Sequence, residues 1–327
     1  MSKKKHVFMF LKNSLHVIKK NMSSCLKYLA VLILFTLVST PSRSQQPASF
    51  PYPSVPDSLR TSDSRAEYVL SHYWDNYDFS DTTLFHRPEV TEQGFVNFID
   101  LLPRVKPATA AMGLTTFADR LYSYSKAGNG ASPAVDYFSD LTDRYLGDEA
   151  SPLHNDMLYA QFLDAMAANK FANAATRSRN AYMASNLRKN LPGSVAADFT
   201  YIDRHSDRHT LRAFKADYTL LFFYDPDCNH CHDIERELAA MPELCSDSSR
   251  VRVLAVYPYS DTAVWLAAEG TFPSAWTDGY SPDGIITTDD IYYIKSMPSI
   301  YLLDAGKHVL LKNPDIKVLK ECLNKIF

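Results

Sequence analysis

Between about residues 61 and 190 apolar side chains recur every three or four positions, the spacing of one face of an α-helix; beyond residue 193 the recurrence shortens to two or becomes a continuous run, the spacing of strands. The first block predicts six helices. Ser64 and Glu67 stand at capping-box spacing, and Ala66, Val69, Leu70, Tyr73, Trp74 and Tyr77 share the face that follows. A second helix starts after Thr91, carries Phe95, Phe98, Ile99 and Leu102, and stops at Pro103. Leu114, Phe117, Leu121 and Tyr124 mark a third, Val135, Phe138, Leu141 and Tyr145 a fourth, and Met157, Leu158, Phe162, Leu163 and Met166 a fifth. Residues 171–189, rich in Ala, Asn and Arg, make the sixth. This is the pattern of an all-α bundle with an aromatic core. Aromatics at helical spacing are core before they are a ligand groove, and the block holds no triad, phosphate loop or metal cluster.

Leu191-Pro192-Gly193-Ser194 ends the helical pattern. Phe199, Tyr201, Ile202 and Leu211 predict a short hairpin leading into a buried strand over 218–224, and a helix follows over about 229–241. Val251 to Tyr257 is an almost unbroken apolar run, as in a strand covered on both faces. Residues 261–269 read as a crossover helix and 270–290 as a long loop or weak helix. Two further runs, 299–303 and 308–311, flank the turn sequence Asp304-Ala305-Gly306-Lys307, and a last helix over about 315–325 places Ile316, Leu319, Leu323 and Ile326 on one face. The order predicts an α/β sandwich with a mixed central sheet, preceded by the helical bundle.

Residues 1–44 differ from the rest. Leu29 to Val38 is apolar, follows Lys27 and precedes Ser42-Arg43-Ser44, which reads as a secretory signal with cleavage after about Ser44. The run is short for a transmembrane span, although an uncleaved anchor is the alternative. Six lysines lie ahead of Met22, and a start at Met22 gives a more ordinary signal, with Cys25 leaving in it. The whole chain has 34 Lys+Arg and 37 Asp+Glu, net −3. Eight of the basic residues and none of the acidic ones lie in 1–44, so the remainder carries 26 basic against 37 acidic side chains, net −11. Such a body repels nucleic acid. Residues 45–60, with Pro47, Pro51, Pro53 and Pro56, read as a flexible tether, and order is expected from near Asp63.

The chemistry is expected at Cys228-Asn229-His230-Cys231, after the apolar run ending at Tyr224 and in the first turn of the helix over about 229–241. Free N–H groups and the positive end of the dipole at a helix start favour a thiolate at the first cysteine, and the two-residue spacer lets the second reach back. Cys228 is then the attacking sulfur and Cys231 the resolving one. Half of a zinc site is the alternative, with His205, His209 and His232 in the chain, but no second paired Cys/His motif stands at zinc-site spacing. An inert disulfide is the other. No cofactor is expected.

Residues 193–327 resemble the thioredoxin superfamily, in its exported TlpA/ResA-like branch. The resemblance rests on Gly193 with Ala197 to Thr200, on Leu221 to Cys231, and on Met297-Pro298 through Asp304. Residues 61–190 resemble DUF5106, a domain found ahead of thioredoxin-like modules in Bacteroidetes. The first resemblance implies that Pro298 is cis and shapes a groove where a substrate chain pairs beside the cysteines. It also exposes two departures. The family's buried acid is replaced by Phe222, leaving Asp225, Asp227, His230 or His232 to take its place, and the usual Trp is replaced by Asp227, whose charge opposes a thiolate at Cys228. A histidine before the second cysteine is similar to the oxidising exported enzymes, so His230 implies a moderately oxidising or isomerase-like dithiol. Cys245 and Cys322 fall on the same side of the sheet in the family's arrangement, which leaves a bridge or two free thiols open. The implied function is periplasmic thiol-disulfide exchange with protein thiols and disulfides, restored by a membrane or periplasmic redox partner. The rivals are a binding module on a thioredoxin scaffold and, less well matched, a thiol peroxidase. Oligomeric state, substrate and the task of the helical part are not legible here.

Overall fold

The computed structural model describes residues 49–123, 132–268 and 272–327. The expected signal segment, the start at Met22, Cys25 and Tyr124 of the third helix pattern lie outside the described residues. No helix among the described residues is long and apolar enough to cross a membrane.

The helical part is α1 (Ser62–His72), α2 (Thr91–Leu101), α3 (Pro107–Ser123), α4 (Pro133–Thr142), α5 (Asp156–Ala168) and α6 (Ala174–Leu187). Side-chain caps set most of the starts: Thr61 Oγ1 accepts from Ser64 N, Ser132 Oγ from Val135 N, Asn155 Oδ1 from Leu158 N and Asn173 Oδ1 from Thr176 N. The cap of α1 is therefore Thr61, with Ser64 inside the first turn, a correction to the expected capping box. Helix α4 passes directly into a π-helical turn, Asp143–Gly147.

Trp74 sits at the centre of this part, stacked on Phe117 at 4.7 Å and edge-on to Phe138 at 5.4 Å. Two expectations fail here. Met157 of the fifth helix faces outward, 40% exposed. The segment from 49 to 60 is packed rather than free at its start, because Phe50 is buried against Tyr73, Trp74 and Tyr77. Gly94 on α2 makes room for it: a Cβ there would stand 2.0 Å from the Phe50 ring.

The second part is built on strands β1 (Thr200–Asp203), β2 (Arg208–Thr210), β3 (Tyr218–Phe223), β4 (Val251–Tyr257), β5 (Thr277–Tyr280), β6 (Ser299–Asp304) and β7 (Val309–Lys312), with α7 (Asn229–Ala239), α8 (Thr262–Ala267), α9 (Ile285–Thr288) and α10 (Ile316–Ile326). The sheet order is β2-β1-β5-β4-β3-β6-β7. The central β3 runs parallel to β4 and antiparallel to β6, which makes the sheet mixed. Leu220 and Phe222 face α7 and α10, while Leu221 and Phe223 face Tyr292 and Tyr301 on the other side. A continuous apolar run is what a strand covered on both faces requires.

Strand β5 falls in the stretch read as loop or weak helix, and this is a correction. Its sequence Thr-Asp-Gly-Tyr has no apolar run; it is held as a strand by parallel pairing with β4 and antiparallel pairing with β1. Gly279 is needed at that crossing, since a Cβ would meet the Tyr201 ring at 2.7 Å and the Ile202 carbonyl oxygen at 2.9 Å. Residues Ser49–Phe327 form one compact unit, with separate apolar clusters for the bundle and for the two faces of the sheet.

Candidate functional site

Strand β3 delivers the chain to the start of α7, and Cys228 is the residue that caps that helix. Its Sγ accepts from Cys231 N at 3.2 Å and faces the Met297 carbonyl oxygen at 3.6 Å, to which it donates as a thiol. The Met297–Pro298 bond is cis, as the resemblance implies. Cys228 is part-exposed and Cys231 is buried, 2% exposed. The two thiols are thus arranged with one open to a partner and one beneath it. His230, between them, is exposed.

Burial, then the hydrogen bond with Cys228, push the Cys231 thiol well above its ordinary value. Of the four residues named to replace the family's acid, Asp225 is the one whose backbone N–H and charge act on Cys231. Asp227 and His230 are exposed. His232 Nε2 donates to Pro226 O at 2.9 Å and its Nδ1 faces Glu235 at 3.4 Å. Phe222 is fully buried where an acid was missed.

A charged group lies on the same face of the sheet. Asp278 on β5 accepts from Tyr224 Oη at 2.8 Å, Trp265 Nε1 at 3.1 Å and Arg204 Nε at 2.6 Å, and the Arg204 guanidinium lies 3.9 Å over the Trp265 ring. Burial raises the Asp278 carboxyl against the pull of these donors. Burial also raises Glu235, one turn after Cys231, with His232 opposing. No run or motif in the sequence marks Asp278; a lone acid in an unrecognised strand gives no signal. Among the described residues, the grouping of metal-ligand side chains is Asp203, Asp207 and His209 near the β1–β2 turn, which leaves both cysteines out and gives the zinc alternative no support. Cys245 and Cys322 are free thiols, Cys245 donating to Ala239 O at 3.3 Å.

The model of DUF5106, a domain of unknown function, matches residues 17–190. The crystal structure of a thioredoxin-like protein from Bacteroides caccae matches at 32% identity and TM-score 0.70, over 85% of this chain and 99% of that one. The chain is a thioredoxin-superfamily protein with a DUF5106 domain. Two structures from Bacteroides fragilis match 41% of the chain and 98% of their own: a conserved protein of unknown function at 39% identity and TM-score 0.39, and the C-terminal domain of an uncharacterised protein at 32% and 0.40. No curated protein matches.

The DUF5106 part reaches His230, between the two cysteines, and the Pro298 loop. A cavity of about 620 Å³ is lined by His230 and Ile234 of α7, by Lys295 to Pro298, and by Asp143, Arg144 and Gly147 to Ala150 from the turn that follows α4. Lys295 Nζ donates to Gly147 O at 3.1 Å. The Glu149 carboxylate accepts from Ser296 Oγ at 3.2 Å and from Asn313 Nδ2 at 2.5 Å. Asn313 Oδ1 in turn accepts from Ile300 N at 2.9 Å, two residues past Pro298. Nothing in the sequence pattern announced these contacts, since residues 143–150 lie far from the cysteines along the chain.

Proposed function

We propose that this is an exported, periplasmic thiol-disulfide oxidoreductase of the TlpA/ResA-like kind, exchanging disulfides with protein substrates. The observation that carries the reading is the pair itself: a part-exposed Cys228 sulfur capping α7, a buried Cys231 behind it, and the cis Pro298 loop beside the first. The Cys228 thiolate attacks one sulfur of a substrate disulfide, and the other leaves as a thiolate that takes up a proton. Cys231 then gives up its proton and attacks the Cys228 sulfur. The substrate leaves as a dithiol and the protein holds a Cys228–Cys231 disulfide, two electrons having passed to the substrate. The reverse sequence oxidises a substrate, and a membrane or periplasmic redox partner resets the pair.

Pro298 and the Met297 carbonyl line the groove where a substrate backbone lies, and His230 before Cys231 favours the reduced form, hence a moderately oxidising or isomerase-like dithiol. The periplasmic location is supported by the apolar run Leu29 to Val38 and the absence of acids ahead of it. The test is a Cys231→Ala variant exposed to periplasmic extract. Partners held through Cys228 and released by reductant are expected; no captured partner points to a scaffold, and peroxide consumption by the purified wild-type chain points to a peroxidase. A measured reduction potential as low as about −270 mV sinks the oxidising direction.

A further inference from the structure

We propose that the DUF5106 part selects the substrate, by setting a carboxylate-rich wall in the cavity beside Pro298 that favours a partner-protein cysteine in an extended segment flanked by lysine or arginine. This rests on the dithiol reading above.

Three observations carry it. The wall, residues 143–150, lines one cavity with Met297 and Pro298, and the Met297 carbonyl faces the Cys228 sulfur at 3.6 Å, so a chain lying along Pro298 to reach that sulfur passes beside the wall. The wall is also anchored on both sides of the proline, Lys295 and Ser296 holding it before Pro298 and Asn313 holding it after through Ile300 N. Its charge is net negative. Asp143, Asp148 and Glu149 line the cavity with Asp315 from the start of α10. The donors to Glu149 are the neutral Ser296 and Asn313, which leave its charge uncancelled. Against these four carboxylates stand Arg144, paired with Glu92, and Lys295, whose charge is likewise uncancelled by the neutral Gly147 O and Tyr159 ring, so the lining is net negative. Asp225 and Asp227 extend the negative field to the residues just before Cys228. The apolar floor of Met297, Pro298 and Ile300 accepts the stem of a side chain while the rim attracts cationic flanks and repels anionic thiols.

The experiment uses the full reduced chain and two peptides of one sequence, each carrying a mixed disulfide, with lysines or glutamates on either side of the cysteine. The lysine peptide is expected to react on the order of tenfold faster in kcat/KM, with the preference shrinking as salt is raised. Glu149→Gln and Asp148→Asn each keep a hydrogen-bond acceptor while removing a charge. Each is expected to narrow the lysine-over-glutamate ratio, and the double variant to bring it close to one. Equal rates for the two peptides with the wild-type chain overturn the wall while leaving thiol exchange standing, as does a ratio that the double variant leaves unchanged. Exchange with neither peptide overturns the dithiol reading and this inference with it.

Discussion

The two parts of the molecule bury different things. The helical part buries rings: Trp74, Phe98, Phe117 and Phe138 pack centroid to centroid within 5.5 Å of Trp74. The thioredoxin-like part buries strands that carry aliphatic and aromatic side chains alike, and among them groups that ionise or react: Cys231, Lys307, whose Nζ donates to Thr219 Oγ1 at 2.8 Å, and the part-buried Asp278. Buried titratable groups are costly unless they are partnered, and they gather where chemistry is done. The contrast places shape in one part and reactivity in the other, and the helical part meets the chemistry at its margin, the turn at 143–150.

The largest test of that contrast is Trp74→Ala. Removing the central ring is expected to cost about 3–5 kcal/mol, read by denaturant unfolding followed through the helical signal. A loss under about 1 kcal/mol would mean the bundle does not depend on its rings as the packing requires.

A pair of glycines sharpens the comparison at a smaller scale. In Gly94→Ala the new methyl meets the Phe50 ring at 2.0 Å, and Phe50 belongs to the segment ahead of α1, which can detach. The expected cost is about 1–3 kcal/mol, with new protease cleavage between 49 and 60. In Gly279→Ala the methyl meets the Ile202 carbonyl of a paired strand at 2.9 Å, which cannot swing away. Its cost is expected at the upper end of the same range without new cleavage near 49–60. Cleavage there in both variants would show that the segment 49–60 is released by general loosening and not by loss of the Gly94 space.

What the chain disclosed in advance follows the same division. Long periodic faces such as Phe95, Phe98, Ile99 and the double-faced run of β3 identify their elements because burial itself imposes the spacing. The Cys228 and Cys231 motif was legible because both thiols and the helix start are local in sequence. Strand β5 was not, because pairing from β4 and β1 imposes its shape on residues that carry no apolar pattern. Phe50 hid among prolines, and Thr61 hid behind a better-looking Ser64. The wall at 143–150 and the Asp278 group were illegible for one reason: their meaning lies in partners more than fifty residues away, Ser296 and Asn313 for the first, Tyr224 and Arg204 for the second.

The smallest effect asks how the reactive part handles one proton. Burial holds Cys231 as a thiol and persists once Cys228 is tied up in a mixed disulfide, so the attack that resolves that disulfide proceeds through a minor thiolate population. Below the raised value that population grows tenfold per pH unit, equivalent to about 1.4 kcal/mol. The resolving rate, measured in single turnover from a preformed Cys228 mixed disulfide, should therefore climb with that slope between about pH 6 and pH 8; a plateau in that window would contradict the burial seen at Cys231. Asp225→Asn then separates two ways a carboxylate can act on the same sulfur. As a charge it keeps Cys231 protonated, and its removal moves the curve to lower pH, faster at pH 7. As a proton acceptor its removal slows the step at every pH. Through-space repulsion by the Asp225 charge is among the influences that raise Cys231, so a shift of the curve to lower pH is the expected result.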